Sequence, residues 1–344
     1  MKMKNFFRLL ILLCCLQSCF WQKKDAATYE LDTLFVLTTD VFLNEDFYSE
    51  FFPVFEEIFK CRIEYTSYAD AADILKALTE KNDSLRVDVV LGVDNTYFHM
   101  MMPDSIFLAY EPHNLRYADK NLIFDDSFHI VPVFYTQLAF IYNSYAIDKA
   151  PATFGEMQDG KFKNMIIMIH PESSSLGRGM LLWSVAAFGE NGYGHFWRSV
   201  KANICSLAKN YDEAYNMFLA GQAPLVAGYS TTPVYHYRKD HSEKYRSTIP
   251  MEGSFNLITG AGIVKNTEKP ELAKRFIEFL LSDDFQNFIP DQIWMYPANS
   301  KTHKGKEYDF LPFSKKDYST ILTQKTIGKR MDKWMESWKS IMLK

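Results

Sequence analysis

Two hydroxyl-rich runs stand where helices begin. Ser173-Ser174-Ser175 precedes an apolar stretch that continues through Met180 and Leu181, and Ser230-Thr231-Thr232 precedes Pro233, a residue suited to a first helical turn. Hydroxyls and unpaired amides at a helix start form a ready site for an anion such as phosphate. Ordinary N-capping uses the same residue types, so one such run alone would carry little. Here both runs follow short apolar strands, Met165–Ile169 and Leu225–Gly228, and ligands of open α/β sheets bind at the C-terminal ends of strands. Carboxylates hold comparable positions. Asp70 opens a helix with Ile74, Leu75 and Leu78 on one face, where it can act simply as the N-cap, while Asp40 and Asp94 close apolar strands.

Other chemistries find little support. The eight histidines show no metal-ligand spacing, and His236 and His241 read as loop residues facing solvent. Gly177-Arg178-Gly179 lacks the lysine and spacing of a phosphate-binding loop, and no serine lies in a nucleophile elbow. Cys61 and Cys205 read as buried small apolar residues rather than activated thiols. No Tyr-Tyr pair of the kind that binds ferric ion occurs.

The chain's start is a targeting pattern. Lys2, Lys4 and Arg8 precede an apolar run, Leu9 to Leu16, of about eight residues, too short for a bilayer span. It ends in Leu16-Gln17-Ser18-Cys19, which resembles a bacterial lipobox, so residues 1–18 are expected to be removed and Cys19 acylated, anchoring the protein at a membrane surface. That removal takes three positive and no negative charges, moving the formal net charge from −4 to −7. A mildly acidic chain without a basic block argues against nucleic acid as the partner. Residues 19–30 read as a polar tether.

Past the tether, strands and helices alternate. Leu34–Leu37 is a strand, followed by an amphipathic helix to about Lys60, a strand over Arg62–Tyr65, the helix opened by Asp70, and a strand over Val87–Gly92. Helices are expected from about Leu176 to Phe188, near Asp212–Ala220 and from Pro270 to Leu281. Ile130–Tyr142 and Ile258–Val264 are long extended runs suited to crossings between lobes. The pattern indicates two α/β lobes, one of residues 30–138 plus 262–344 and the other of 139–261. Aromatic residues make up 16% of the chain, enough to line a pocket beyond the needs of the core.

Five segments resemble, in order, the thiamine-binding proteins of bacterial ABC importers: Asp88 to Asn95 (DVVLGVDN), Pro171 to Trp183 (PESSSLGRGMLLW), Tyr211 to Tyr215 (YDEAY), Tyr229 to His236 (YSTTPVYH) and Phe285 to Pro297 (FQNFIPDQIWMYP). The resemblance extends over about residues 33–300. It implies a type-2 periplasmic binding protein fold, two α/β lobes joined by a hinge with a ligand cleft between them. It also implies a monomeric, extracytoplasmic lipoprotein that hands thiamine, or its mono- or diphosphate, to a permease and its ATPase, with no cofactor of its own. Tyr211, Tyr229, Tyr235 and Trp294 match the family's pocket aromatics, which attract the permanently charged thiazolium ring. Asp70 with Ala71, Ser174 with Ser175, and Ser230, Thr231 and Thr232 match its polar contacts, with Asp40 and Asp94 as secondary candidates. Tyr211 replaces a usual tryptophan, Thr39 a common tyrosine and Ala71 a common glycine. A different cationic or metal solute is the alternative within binding proteins. A thiaminase-like enzyme, which resembles the same fold and uses a cysteine nucleophile, is the alternative from another class.

Overall fold

The computed structural model describes residues 31–40, 45–80, 85–101 and 103–344. The expected signal segment, Cys19 and the tether to residue 30 lie outside the described residues. In the first half of the fold, β1 (Asp32–Thr39), α1 (Glu45–Phe59), β2 (Cys61–Tyr68), α2 (Ala71–Thr79) and β3 (Val89–Asp94) alternate as the hydrophobic pattern predicts. β1 and β3 pair in parallel with Val36 beside Val89. The two faces of β3 enter different cores: Val89 and Leu91 pack with Leu34, Phe55 and Phe276, whereas Val90 and Val93 pack with Ile74, Phe98 and Phe107. Cover on both faces is why this strand is almost continuously apolar.

A short strand β4 (Phe107–Leu108) precedes β5 (Val131–Asn143), the strand that joins the two halves. Up to Gln137 it pairs with β10 (Asn256–Val264), and from Leu138 to Tyr142 it pairs with β8 (Leu225–Tyr229). The full order is β2-β1-β3-β10-β5-β8-β6-β7, with β6 (Ile166–Ile169) parallel to both β8 and β7 (Ile204–Ala208). Gln137, buried at the crossing, has its amide fully used: Nε2 donates to Asn256 Oδ1 at 3.1 Å and to the Ser314 carbonyl at 2.9 Å, and Oε1 accepts from Ser314 N–H at 2.8 Å. A buried amide satisfied in this way stabilises one register at the crossing.

Helices α3 (Ser175–Val200), α4 (Tyr211–Leu219) and α5 (Thr232–Lys239) belong to the second half. The Leu176–Phe188 helix expected from sequence is the first arm of α3, which continues past a break at Gly189 (φ 70°, ψ 173°), a left-handed conformation suited to glycine. α6 (Pro270–Leu280) and α7 (Asp283–Gln292) cover the first half, where Phe55 meets Phe276 edge-on at 5.1 Å. Two further strands complete the sheet: β9 (Tyr245–Thr248) and β11 (Tyr296–Pro297), both paired with β5.

The C-terminal helix α8 (Gln324–Met342) packs with the second core. Its Ile327, Met331, Trp334 and Trp338 lie with Leu181, Trp183 and Ile167 of that half, whereas the sequence reading grouped 262–344 with the first half. The spacing of 3 and 4 along its apolar face demands a core to cover it, and α3 supplies one.

Candidate functional site

Between the two halves lies a cavity of about 480 Å³. From the first half Asp40, Asp70, Ala71 and Asp94 line it, and Trp294 joins them from the turn after α7. From the second come Ser174, Ser175, Tyr211, Tyr229, Thr231, Thr232 and Tyr235. Ser230 is the candidate that does not line the cavity. It is fully buried, its N–H donates to the Gln137 carbonyl at 2.8 Å, and its own carbonyl accepts from Ser247 Oγ, so it builds the turn into α5.

The polar end of the cavity is a carboxylate pair on a helix start. Asp70 caps α2, accepting from Ala72 N–H at 3.2 Å, and also accepts Ser175 N–H at 3.0 Å and Ser175 Oγ–H at 2.7 Å. One side chain thus caps helices of both halves. The other oxygen within reach of Ser175 Oγ is Asp94 Oδ2, at 2.6 Å. The remaining bonds of Asp94 come from its own turn, from Thr96 N–H at 2.7 Å, Thr96 Oγ–H at 2.5 Å and Tyr97 N–H at 3.3 Å. A hydroxyl carries one proton and cannot donate to two carboxylates at once, so both contacts are hydrogen bonds only when one of the two acids is protonated. Burial and the Asp94 charge push the Asp70 carboxyl up to about 6, and burial raises Asp94 as well. A buried cation, Arg178 of α3, feels both acids; its guanidinium lies 4.2 Å over the Tyr97 ring and reaches Met100 Sδ at 3.4 Å.

Two glycines allow this meeting of elements. At Gly92, φ is +135° and a Cβ would lie 2.7 Å from Thr39 Cγ2, so only glycine lets β3 pass so close beneath the cavity floor. At Gly177 a Cβ would lie 2.5 Å from the His170 carbonyl oxygen, which means the first turn of α3 rests directly on the end of β6.

The opposite wall is aromatic. Tyr211 stacks on Tyr215 with centroids 5.3 Å apart and 20° between planes, and tilts onto Tyr229 at 4.7 Å. Burial raises all three phenols, so they stay neutral and present π faces without a negative charge of their own. Trp294 meets Tyr235 edge-to-face at 4.8 Å across the two halves. Its backbone has φ of 52°, a rare conformation for a bulky residue, and its indole Nε1–H is buried with no hydrogen-bond partner among the described residues. Backbone strain of this kind concentrates at ligand clamps. Three of the hydroxyls expected to read an anion are already engaged: Thr232 Oγ1 with Tyr211 Oη at 2.9 Å, Thr231 Oγ1 with Thr136 at 3.2 Å, and Ser175 with the two acids.

The cavity also uses residues that sequence reasoning passed over. Tyr215, Phe134, Asn210 and Gln292 line it; Tyr215 was within reach, one turn from Tyr211 on the same helix face. His236 needs correcting. It is not a solvent-facing loop residue but lies inside α5 at 3% exposure, held between Tyr215 and Asp240. Cys61 is buried, while Cys205 is half-buried with its thiol 3.4 Å from the Ile166 carbonyl; neither lines the cavity. Among the described residues no cluster of His, Cys, Asp and Glu has the makings of a metal site.

Residues 86–318 match the family of bacterial extracellular solute-binding proteins. The chain belongs to this family. Thiamine-binding periplasmic proteins of Salmonella typhimurium and Brucella suis are similar to it: the first is 28% identical over 83% of this chain and 85% of its own length, the second 27% identical over 89% and 91%. The structure of a periplasmic thiamin binding protein superposes with a TM-score of 0.78 at 23% identity, over 92% of this chain and 98% of that one. The type-2 periplasmic binding protein fold expected from the five segments is the fold of this solute-binding protein. Among its described residues no helix is long and apolar enough to cross a membrane.

Proposed function

We propose that this solute-binding protein captures thiamine and delivers it to the permease and ATPase of an ABC importer. The observation that carries the reading is the pairing, in one cavity, of a π wall with a buried acid pair that has room for one more positive charge. A thiazolium ring cannot shed its charge, so a site for it must offset desolvation with π faces and carboxylates. The thiamine-binding relatives support the same ligand. Unphosphorylated thiamine is the preferred form, because a phosphate reaching the α3 start must displace Asp70 from Ser175. The two halves act as lobes of a clamp, the C-terminal helix moving with residues 139–261. The protein works as a monomer, and acylated Cys19 holds it at the extracytoplasmic face of a membrane; lipid labelling that persists in Cys19→Ala overturns the anchor.

Calorimetry of the protein against thiamine and its mono- and diphosphate tests the reading, with Trp294→Ala as the site probe. The expected result is tightest binding of thiamine and a loss in the variant of about 1–3 kcal/mol. Absence of thiamine binding overturns the ligand, and full affinity in a folded Trp294→Ala removes that residue from the site. The thiaminase-like alternative predicts breakdown of thiamine in the presence of an amine, and no cysteine of the cavity lining supports it.

A further inference from the structure

Behind the aromatic wall runs a hydrogen-bonded chain whose inner end lines the cavity and whose outer end meets solvent. Tyr215 Oη lies 2.5 Å from His236 Nε2, and His236 Nδ1 lies 2.6 Å from Asp240 Oδ2. Burial keeps the Tyr215 phenol protonated, so its O–H is free to donate to Nε2. Nδ1 then carries the ring proton and donates to the carboxylate; the tautomer follows from the partners. His236 is shut away at 3% exposure, whereas the Asp240 side chain is 51% exposed. The other groups that face the imidazole are the rings of Tyr235 and Tyr245.

A second bond runs parallel to the first. Tyr211 Oη meets Thr232 Oγ1 at 2.9 Å, one turn before Tyr215 on α4 and one turn before His236 on α5. The two phenol oxygens are therefore tied to successive turns of one helix, which holds both rings in their stack against the cavity. The two bonds differ in one respect: only the Tyr215 bond is backed by a carboxylate.

We propose that His236 and Asp240 are positioning residues for recognition of a cation, acting on the ligand through Tyr215. In such a chain each hydrogen bond polarises the next, so a phenol that donates towards a carboxylate-backed imidazole carries a more electron-rich ring. A cation over that wall gains from the richer π face, and a neutral ligand of the same shape does not. The proposal rests on the reading that the ligand is cationic, and assigns its charge selectivity to residues outside the cavity.

The test compares thiamine with a neutral isostere in which a thiophene replaces the thiazolium ring, by calorimetry on the full chain and its Asp240→Asn, His236→Gln and His236→Leu variants. Asp240→Asn removes a half-exposed charge and leaves the packing intact. It should weaken thiamine binding about three- to tenfold while the isostere stays within about twofold. His236→Leu should lose at least as much selectivity, and His236→Gln, which can accept from Tyr215 and donate to Asp240, should recover most of it. The ¹⁵N spectrum of the unsubstituted protein should show His236 carrying a proton at Nδ1 and accepting at Nε2. Unchanged thiamine affinity in Asp240→Asn, or an equal loss for both ligands, overturns the proposal in favour of a purely structural histidine. An unsubstituted protein that binds no thiamine overturns the earlier reading and this one with it, and is distinguished by appearing before any substitution is made.

Discussion

Ser175 has one hydroxyl proton and two carboxylates within reach, at 2.7 and 2.6 Å, so as pH falls through the raised pKa of Asp70 a further proton settles between Asp70 and Asp94. On the proposed reading, a permanent cation entering the cavity takes that proton's place. The Asp70 carboxyl is raised to about 6, chiefly by burial and then by Asp94, so below that pH a cation competes with the proton on Asp70, and above it Asp70 is already charged. The groups around the pair are Asp73 on its own helix, Tyr97 beside Asp94, Arg178 on α3 and Tyr229 on β8, of which only Arg178 is cationic. Thiamine affinity is expected to fall as pH drops through about 6, approaching tenfold per unit, and the slope to flatten in Asp70→Asn; calorimetry from pH 5 to 8 measures both. A flat profile in the unsubstituted protein removes the shared proton. The candidate acids were legible as strand-end and cap residues, and the aromatics as members of matching segments. The meeting of Ser175 with both acids was not, because 81 and 105 residues separate them and only the fold brings them together. Tyr215 and His236 likewise lie 21 residues apart, with no local pattern to announce the bond.

Elements matter here through their starts. α3 can present Ser175 to the acids only because Gly177 lets its first turn sit on the His170 and Ile169 carbonyls. Alanine there places a carbon 2.5 Å from a backbone oxygen that cannot rotate away, so the helix start must lift. Gly177→Ala should cost about 1–3 kcal/mol, net of the better helix propensity of alanine, and lower the melting temperature by a few degrees. Gly179→Ala is the control: its new carbon meets the side chain of Leu138, which can turn, so the loss should be smaller. Equal melting temperatures for the two variants and the unsubstituted protein would dismiss the close approach. The strong periodic elements were readable because burial writes itself into the pattern: β3 is apolar on both faces, and α2 shows its stripe behind Asp70. β7 escaped because its residues Ile204 to Leu207 are only half-buried, which mutes a five-residue signal. α8 carried a clear stripe, Met331, Trp334, Met335, Trp338 and Met342, but sequence alone does not say which of two cores will cover it.

At the scale of the whole molecule the question is what holds the two halves together around a ligand. Asp70 with Ser175 is one link, and Arg238 of α5 is another. Its guanidinium donates to the Asp291 carbonyl at 3.0 Å, to Asp291 Oδ1 at 2.9 Å and to Glu307, the last only 14% exposed. Arginine suits the place because its planar fork serves several acceptors at once. None of these atoms touches the cavity, whose nearest lining residue on that side is Gln292, next to Asp291. If the links set the fraction of molecules already closed, removing one lowers apparent affinity by that fraction without altering a single ligand contact. The pairs are partly exposed and screened by water, so their effect is modest. Arg238→Ala should therefore weaken thiamine binding about three- to tenfold, through faster release, and enlarge the radius of gyration of the ligand-free protein in small-angle scattering. Saturating ligand should restore the compact form, since a ligand that binds only the closed state draws the population back to it. An affinity loss with unchanged scattering would place the effect in a local rearrangement of α5 and Tyr235, and not in closure.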